Sequence, residues 1–350
     1  MTNKKLLFFL LLFKGIFIYA QHSIRGVIVD ESQQPIESAN IYFDGTTFGT
    51  VTNSQGEFTL QLSKAIQAPL IISSLGYTSE IKKISFETSS INIGVIALKE
   101  GVNDLEEVYL ENDPWPRKRK LKYFRKWFLG ADYKDKKTKI LNEEEVLLRF
   151  IPSSNTLVAS SKIPLKIKNK HLSYLIAYDL VEFELQFKKV IFTKDGKRQT
   201  HYNEYSSFYA GTSFFKELKE NTRTKFLERR EKAYEGSILH FMRSLASKKL
   251  EENKYKIFHK RFQVPTYQFL KVVEGKNRVA IDFLSPKIIV LYDDFEQSFI
   301  QINKNPTTIY IDAYGNFSPI NSLYFGGDMG KQKISSLLPL NYKINSFEDE

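Results

Sequence analysis

The residues that most suggest metal chemistry are His201 and Glu204, which form an H-x-x-E motif in the second half of the chain. Two ligands at this spacing could hold zinc if His240 or His259 supplied a third. The surrounding residues favour a strand, however, and positions three apart in a strand lie on opposite faces of the sheet. We therefore expect a solvated strand edge here and no metal site.

Neighbouring carboxylates form a second group of candidates, because a pair of them could act on a glycosidic bond. The pairs are Asp293 with Asp294 and Glu182 with Glu184. Asp293 and Asp294 directly follow the apolar run 288–292, so we interpret them as a turn after a strand.

The sequence excludes several classes of enzyme. Its 350 residues include no Cys, which rules out a thiolate zinc site, a cysteine nucleophile and a disulfide framework. It also lacks the G-x-S-x-G, P-loop, G-x-G-x-x-G and H-E-x-x-H motifs. We predict a protein with no catalytic residue, no metal ion and no cofactor. The alternative is an envelope hydrolase, metallopeptidase-like or a glycosidase, with its site near His201 or His240.

Four polar residues, Arg230, Tyr234, His240 and Arg243, lie on either side of the predicted helix start at Ser237. If their side chains converge, they would form a pocket for a carboxylate or a phosphate group. The alternative, which Arg and Tyr favour, is a set of hydrogen bonds that fixes a pair of helices onto a sheet.

A basic helix is predicted over residues 117–130, where apolar residues recur at i, i+3 and i+7. Arg117, Arg119, Lys122 and Trp127 are its candidate binding residues, for lipid phosphates or an acidic polysaccharide. In the alternative, the apolar stripe packs on the second domain and the basic face is solvated or contacts the acidic first domain.

The charges divide the chain into unlike parts. Residues 21–112 contain 5 basic and 12 acidic residues, whereas residues 113–140 contain 11 basic and 3 acidic residues. This contrast indicates either a domain boundary near residue 112 or two surfaces that attract each other. The length is sufficient for two domains, each with a hydrophobic core.

The first part of the chain is predicted to be a small β-sandwich. β-Branched and aromatic runs alternate with turn residues such as Asn53 and Gly56. The predicted strands are residues 24–29, 39–43, 57–62, 69–73, 80–85 and 91–98.

Several short motifs of this part resemble the carboxypeptidase regulatory-like domain. They occupy residues 25–30, 34–36, 39–41, 49–53, 56–58 and 74–77. The resemblance implies a prealbumin-like antiparallel β-sandwich, often found at the N-terminus of exported proteins of outer-membrane bacteria, including outer-membrane receptors. Asn53 stands where the family more often has Asp, and Asn also supports the turn. In metallocarboxypeptidases this module has no catalytic residues, so the resemblance implies no peptidase activity.

Residues 1–20 are predicted to be a secretory signal peptide. Lys4 and Lys5 precede an apolar run, which Lys14 interrupts, and Ala20 suits a cleavage point. The run is shorter than the roughly 20 apolar residues of a membrane span. We expect an exported protein, periplasmic or associated with the outer membrane.

The remainder, residues 131–350, is predicted to be a β-rich α+β domain with an inserted helical pair. Strand signals over residues 143–192 and 254–345 surround a helical region at about 214–250, in which Ser237 can cap a helix. Motifs at residues 229–237 and 337–342 resemble the C-terminal part of exported carboxypeptidase-regulatory-like proteins. That resemblance implies architecture and location only.

The sequence thus predicts a mainly β protein with a signal peptide (1–20), a regulatory-like sandwich (21–98), an acidic linker with a basic helix (99–130) and the β-rich domain (131–350). Its expected function is non-catalytic binding or scaffolding of an outer-membrane protein or an envelope glycan. The basic helix could add peripheral membrane contact, and nucleic acid is not an expected partner of an exported protein.

Overall fold

The fold was analysed in a computed structural model. It describes residues 22–101, 111–219, 223–275, 278–303 and 308–343. The predicted signal peptide lies outside these residues. In the part of the chain that the model describes, no helix has both the length and the apolar character to cross a membrane.

The first part of the chain forms two facing sheets. Its strands are β1 His22–Asp30, β2 Asn40–Phe43, β3 Gly49–Val51, β4 Glu57–Leu62, β5 Leu70–Ser73, β6 Glu80–Lys82 and β7 Ser90–Leu98. One sheet has the order β4-β1-β7 and the other has the order β3-β2-β5-β6. Buried and exposed residues alternate along β4, so its apolar side chains enter the core between the sheets. The predicted sandwich is confirmed.

One strand pair departs from the antiparallel prediction. β1 pairs with β7 in parallel, whereas the other described pairs of this unit are antiparallel. β3 was missed from the sequence because it has only three residues. The Asn53 turn forms as expected: its side-chain oxygen accepts hydrogen bonds from the backbone N–H groups of Gln55 and Glu57, at 3.0 and 2.9 Å.

The next part is a helix packed on a six-stranded sheet. Helix α1 Arg117–Phe124 continues into a π-helical turn, Arg125–Leu129. The strands are β8 Thr138–Ile140, β9 Val146–Ile151, β10 Thr156–Ser161, β11 Leu165–Asn169, β12 Tyr174–Lys194 and β13 Lys197–Glu217. They follow the order β8-β11-β12-β10-β9, and β13 pairs with β12 as a long hairpin. Phe124 and Phe128 of the helical segment are buried in the same core as Phe183 of β12.

A helical pair follows and leads into two further sheets. Helix α2 is Thr224–Tyr234 and helix α3 is Ile238–Ala246. The predicted cap is confirmed, because the hydroxyl of Ser237 accepts a hydrogen bond from the N–H of His240 at 3.0 Å. The helical region begins later than predicted, since Phe214 and Phe215 still belong to β13.

The remaining strands are β14 Tyr255–His259, β15 Phe262–Val264, β16 Leu270–Glu274, β17 Val279–Phe283, β18 Lys287–Tyr292, β19 Glu296–Ile302, β20 Thr308–Ile311, β21 Phe317–Ser318 and β22 Leu323–Gly327. They form a five-stranded sheet with the order β15-β14-β18-β19-β22 and a four-stranded sheet with the order β16-β17-β20-β21. A short helix, α4 Asp328–Lys331, follows β22. The mainly β fold with an inserted helical pair is thus confirmed.

The sandwich is fixed to the rest of the chain by a specific interface. Tyr314 is fully buried among the core residues of the sandwich, and its hydroxyl donates to the carbonyl of Lys64 at 3.2 Å. The N–H of Gly45 donates to the carbonyl of Ser213, and the carbonyl of Gly45 accepts from the N–H of Leu340, each at 2.7 Å. Backbone groups from two distant segments therefore hold the sandwich in one orientation.

Candidate binding surfaces

His201 and Glu204, the two residues of the H-x-x-E motif, lie in the long hairpin of β12 and β13. Both residues lie on β13, three positions apart, and His201 is exposed. Glu204 accepts a hydrogen bond from the ammonium of Lys126 at 2.5 Å. In the part of the chain that is described, no group of three His, Asp or Glu residues is arranged to hold a metal ion.

Of the paired carboxylates, Asp293 and Asp294 form ion pairs, and Glu182 and Glu184 lie on a strand. Asp293 and Asp294 both have positive φ angles in the turn after β18, where the sequence placed a turn. They form ion pairs with Lys254 at 3.2 Å and with Lys256 at 2.5 Å. Glu182 and Glu184 lie on β12, opposite Ala210 and Phe208 of β13.

In helix α1, the predicted binding residues mostly contact the chain itself. Arg117 donates to the carbonyls of Val146 and Glu143 at 2.8 and 2.9 Å. The guanidinium of Arg119 lies over the ring of Trp115, 3.7 Å from its centroid. These two cations are therefore used to hold the helix on the sheet.

Further cations of the same segment have carboxylate partners. Lys120 pairs with Asp113, and Arg125 pairs with Glu143. Burial would raise the pKa of Asp113, yet the hydrogen bonds from Lys120 and from two backbone N–H groups hold it below its usual value.

The remaining two predicted residues of this segment differ from each other. Lys122 is exposed and belongs to no ion pair among the described residues. The indole N–H of Trp127 is buried and has no acceptor among those residues. A binding role of Arg117, Arg119, Lys122 and Trp127 stays a prediction.

Arg230 forms its hydrogen bonds with residues other than the three predicted with it. Its guanidinium is buried and donates to both carboxylate oxygens of Glu217, at 2.8 and 2.6 Å. It also donates to the carbonyl of Leu172 at 2.8 Å and lies 3.9 Å from the ring centroid of Tyr174. This side chain fixes α2 to the end of β13.

Tyr234, His240 and Arg243 do lie together. The rings of Tyr234 and His240 are 4.8 Å apart, and Arg243 lies 5.5 Å from the Tyr234 ring centroid. Nδ1 of His240 hydrogen-bonds with the hydroxyl of Tyr255 at 3.0 Å, and burial lowers the pKa of His240 to about 4. His240 is therefore neutral at physiological pH.

The guanidinium of Arg243 spans two segments that hold the sandwich. It donates to the carbonyls of Tyr314, Leu340 and Tyr342, at 3.1, 2.7 and 2.8 Å. Three of its five N–H donors are thus used by backbone oxygens, which makes Arg243 a structural element of the interface. A ligand-binding role of Arg230, Tyr234, His240 and Arg243 stays a prediction.

A basic concavity lies where β11, the end of β13 and the start of α2 meet, and the sequence analysis missed it. Its volume is about 430 Å³. Ser173, Leu218 and the aromatic ring of Phe226 line it together with six cations, which are Lys137, Lys168, Lys170, Lys219, Lys225 and Arg229. We call it the basic pocket.

The charges of the basic pocket are not neutralised by the described residues. None of the six cations forms an ion pair there, and no acidic residue is in the wall. Lys168 is directly opposite Lys139 where β11 pairs with β8. Burial, followed by the charges of Arg229 and Lys136, lowers the pKa of nearby His171. A region of positive potential results.

A signal for part of the pocket is present in the sequence. The run from Leu165 to Lys170 alternates apolar and basic residues until Asn169, which puts Lys166, Lys168 and Lys170 on one face of a strand. The other cations come from distant segments, so only the fold shows that they share a cavity.

The outer edge of β7 is a second candidate surface. β7 is nine residues long, contains no charged residue and ends the sheet order β4-β1-β7. Among the described residues it has no second neighbouring strand. Val95 is 62% exposed on it, and Gly94, with φ of 74°, accompanies an irregularity in the pairing with β1. An open, uncharged edge can accept a further strand.

The comparisons with known proteins concern mainly the sandwich. Residues 24–110 match the family model described as CarboxypepD_reg-like domain. The sandwich is therefore a carboxypeptidase regulatory-like domain, as its motifs predict. A stretch of 104 residues is 31% identical to the TonB-dependent receptor SusC of Bacteroides thetaiotaomicron. It covers 28% of this chain and 10% of the receptor, so this chain spans about a tenth of that relative's length.

Solved structures show only weak likeness. A type II cohesin–X-dockerin complex from Acetivibrio cellulolyticus is 20% identical over 21% of this chain and 52% of that chain, with a TM-score of 0.19. A 9R-lipoxygenase from Cyanothece PCC8801 is 12% identical over 67% of this chain and 49% of that chain, with a TM-score of 0.20. Scores this low support no conclusion about fold or function.

Proposed function

We propose that this protein is a non-catalytic, exported scaffold of the cell envelope, which binds an outer-membrane protein through the open edge of β7. Two observations carry the proposal: the regulatory-like sandwich is fixed to a larger body, and a long, uncharged strand ends one of its sheets among the described residues. Edge-strand addition needs only backbone N–H and C=O groups on the receiving strand. It therefore requires no side-chain motif.

The location is proposed from two independent features. Residues 1–20 have the composition of a secretory signal peptide. The regulatory-like domain is shared with a protein named as a TonB-dependent receptor. Together they support a periplasmic position or association with the outer membrane.

The non-catalytic role is supported by the way the candidate catalytic groups are engaged. Glu204 is paired with Lys126, and His240 is hydrogen-bonded to Tyr255. Asp293 and Asp294 each have a lysine partner in a surface turn. These contacts give each of these groups a structural role in the fold.

The orientation of the sandwich also supports a scaffold. Arg243 and the buried Tyr314 hold it rigidly, so a partner bound at β7 would be kept in a defined position relative to the body. A flexible tether would bring the partner close without fixing this geometry. Peripheral membrane contact through α1 stays a prediction, and Lys118 and Lys122 are the exposed cations that could make it.

Photo-cross-linking in intact host cells tests the proposed edge. A photoreactive phenylalanine derivative replaces exposed Ala97 on β7 and, in a matched control, exposed Thr59 on β4 at the opposite edge of the same sheet. We expect one outer-membrane protein to be captured from position 97 and not from position 59. Equal capture from both edges, or capture of no envelope protein, would contradict the proposal.

A charge on the edge provides an independent check. Val95→Lys places an ammonium group on β7 without entering the core, because Val95 is 62% exposed. Edge lysines oppose strand addition, so we expect co-purification of the captured protein to fall about tenfold. Val95→Thr, which keeps the branched shape without a charge, should retain it.

A glycan is the second candidate partner, and the basic pocket favours it. The pocket is separate from β7, lies on the body of the protein and concentrates positive charge in a concave site. The two surfaces could serve two partners at once.

A further inference from the structure

The basic pocket has an arrangement that stability alone does not explain. Lys168 and Lys139 face each other across β11 and β8, and like charges in directly opposed positions destabilise a sheet. Two other cavities in the described part of the chain contain charges of both signs. In a concavity of about 460 Å³, Lys254 and Lys256 are paired with aspartates, and Glu251 belongs to the wall. The basic pocket instead collects cations of one sign.

The shape of the pocket suits a compact ligand. Its volume of about 430 Å³ lies within the range of small-molecule sites, about 300 to 1,000 Å³. Its cations come from the loop before β8, from β11 and the residue after it, from the segment after β13 and from α2, so four segments of the chain contribute charge to one concavity. A cleft lined by one sign of charge concentrates the opposite sign within it.

We infer that the basic pocket binds a phosphorylated saccharide, with Lys168, Lys170 and Arg229 as the principal phosphate ligands and Phe226 as an apolar platform for the sugar ring. This inference rests on the proposed non-catalytic binding role and specifies a ligand class for a site distinct from the edge of β7.

Phosphate suits the pocket better than a sugar carboxylate does. A phosphate monoester carries about −1.5 to −2 charges at neutral pH and three strong acceptor oxygens. A carboxylate carries a single charge and two oxygens. A compact ligand with two or three phosphate groups would balance much of the charge of the six cations, which have no described acidic partner.

The presence of Phe226 in the wall favours a ligand in which a sugar ring carries the phosphate groups. Its ring is half-buried in the wall, with the cations of Lys225 and Arg229 at 5.2 and 5.7 Å from its centroid. An aromatic face between cations offers C–H packing to a sugar ring while its phosphates contact the surrounding side chains.

Calorimetric titration of the purified full-length protein at low ionic strength tests the inference. The probe is glucose 1,6-bisphosphate, and glucose is the uncharged comparison. We expect saturable binding of the bisphosphate and none of glucose. Lys168→Gln and Arg229→Gln should each weaken binding about tenfold, since each removes a charge-assisted contact. Phe226→Leu should weaken binding of the bisphosphate more than binding of inorganic pyrophosphate, which has no sugar ring.

The matched control is Lys166→Gln. Lys166 lies on the same strand and the same exposed sheet face as Lys168, but it is not in the wall of the pocket. Its substitution changes the net charge equally and should leave the affinity unchanged. An equal loss in Lys166→Gln would show a diffuse surface attraction and would overturn the inference.

Two further results would also overturn it. One is the absence of bisphosphate binding at any soluble concentration. The other is binding only to phosphatidylcholine vesicles that contain phosphatidylglycerol, which would identify a lipid surface in place of a saccharide. All these readouts use purified components, so they are independent of capture at β7, and failure of one proposal is distinguishable from failure of the other.

Discussion

In the helical segment 117–129 Lys120 lies against Asp113 and Arg125 lies against Glu143, whereas Lys168 in the wall of the basic pocket faces Lys139 of the neighbouring strand β8. Both regions are rich in lysine and arginine, but only the helical segment has partners for most of its cations. Carboxylates and backbone oxygens bind most cations of the helical segment and fix it on the sheet. Those of the pocket have no acidic partner among the described residues and remain available to a ligand.

This comparison shows that the density of cations along a sequence does not measure the charge that a surface presents. A run such as residues 117–126 gathers cations in sequence, and distant acidic residues then meet them in the fold. The pocket gathers cations in space from four segments. An unneutralised cluster that costs stability is the better indicator of a binding site.

Arg230 and Arg229 provide the sharpest form of the comparison, because they are neighbours on α2. Arg230→Met removes the bidentate contact to Glu217 and the donor to the Leu172 carbonyl. We expect the free energy of unfolding to fall by about 3 kcal/mol, since the charge-assisted hydrogen bonds of a buried guanidinium are lost and the Leu172 carbonyl loses its donor, although Glu217 itself is exposed. Denaturant unfolding measures this change.

The control for this experiment is Arg229→Met. Arg229 is only half-buried, and its one described hydrogen bond, to the carbonyl of His171, is long at 3.4 Å. Its loss should change the free energy of unfolding by less than about 0.5 kcal/mol. Similar losses in the two variants would mean that the pocket arginine is structural.

Lys120 and Lys122 allow the same comparison within α1. Lys120→Met leaves the carboxylate of Asp113 without its cation, while Trp115 and Phe150 still donate backbone N–H groups to it. We expect a loss of about 2 kcal/mol in the free energy of unfolding, because the pair is largely but not fully buried.

Exposed Lys122 is the matched position in that experiment. Lys122→Met should leave the thermal midpoint nearly unchanged, because this side chain has no described ion pair. If Lys120→Met were equally harmless, the helix cations would be no more structural than those of the pocket.

Asp44 extends the comparison to a half-buried carboxylate that has no ion pair among the described residues. Its Oδ1 accepts the N–H of Ser213 at 2.6 Å, and burial raises its pKa from 3.8 to about 6. Protonation of Asp44 therefore stabilises the folded state relative to the unfolded state. This stabilisation is complete below the unfolded pKa of Asp44 and is lost as the pH rises through about 6.

Asp44→Asn is neutral at every pH and should be more stable than the parent at about pH 8. The advantage should shrink by about 1 to 2 kcal/mol on acidification to about pH 5. Denaturant unfolding of both proteins across this range measures the difference. Subtraction removes the opposite effect of His240, whose pKa is lowered to about 4. A difference that does not depend on pH would show that burial of Asp44 costs little.

The sequence predicted the sandwich well because its signals are local. Alternation along β4 and the Asn53 turn are each encoded within a few residues. The parallel pairing of β1 with β7 is a contact between strands distant in sequence, which no local pattern specifies. The same holds for Tyr314, whose place in the core of the sandwich depends on the docking of two units.

The candidate sites divide in the same way. The position of α1 and the Ser237 cap were predictable from spacing and residue type. The partners of the helix cations, such as Glu143 and Glu204, were not, because only the folded sheet brings them near. The basic pocket was missed because its residues are scattered along the chain, although the alternation around Lys168 was visible.

The smallest expected effect is the change in the free energy of unfolding caused by Lys168→Gln. The sign of this change decides whether Lys168 has a structural role. Removing one of two opposed ammonium groups on β11 and β8 should leave the free energy of unfolding unchanged or raise it by about 0.2 to 1 kcal/mol. Lys139→Gln should do the same from the other strand, while leaving saccharide affinity intact because Lys139 is not in the wall. Thermal unfolding at low and high ionic strength measures both, and the gain should fade as salt screens the repulsion. A fall in stability would show that Lys168 has a structural contact like those of α1, and the distinction between the two regions would then fail.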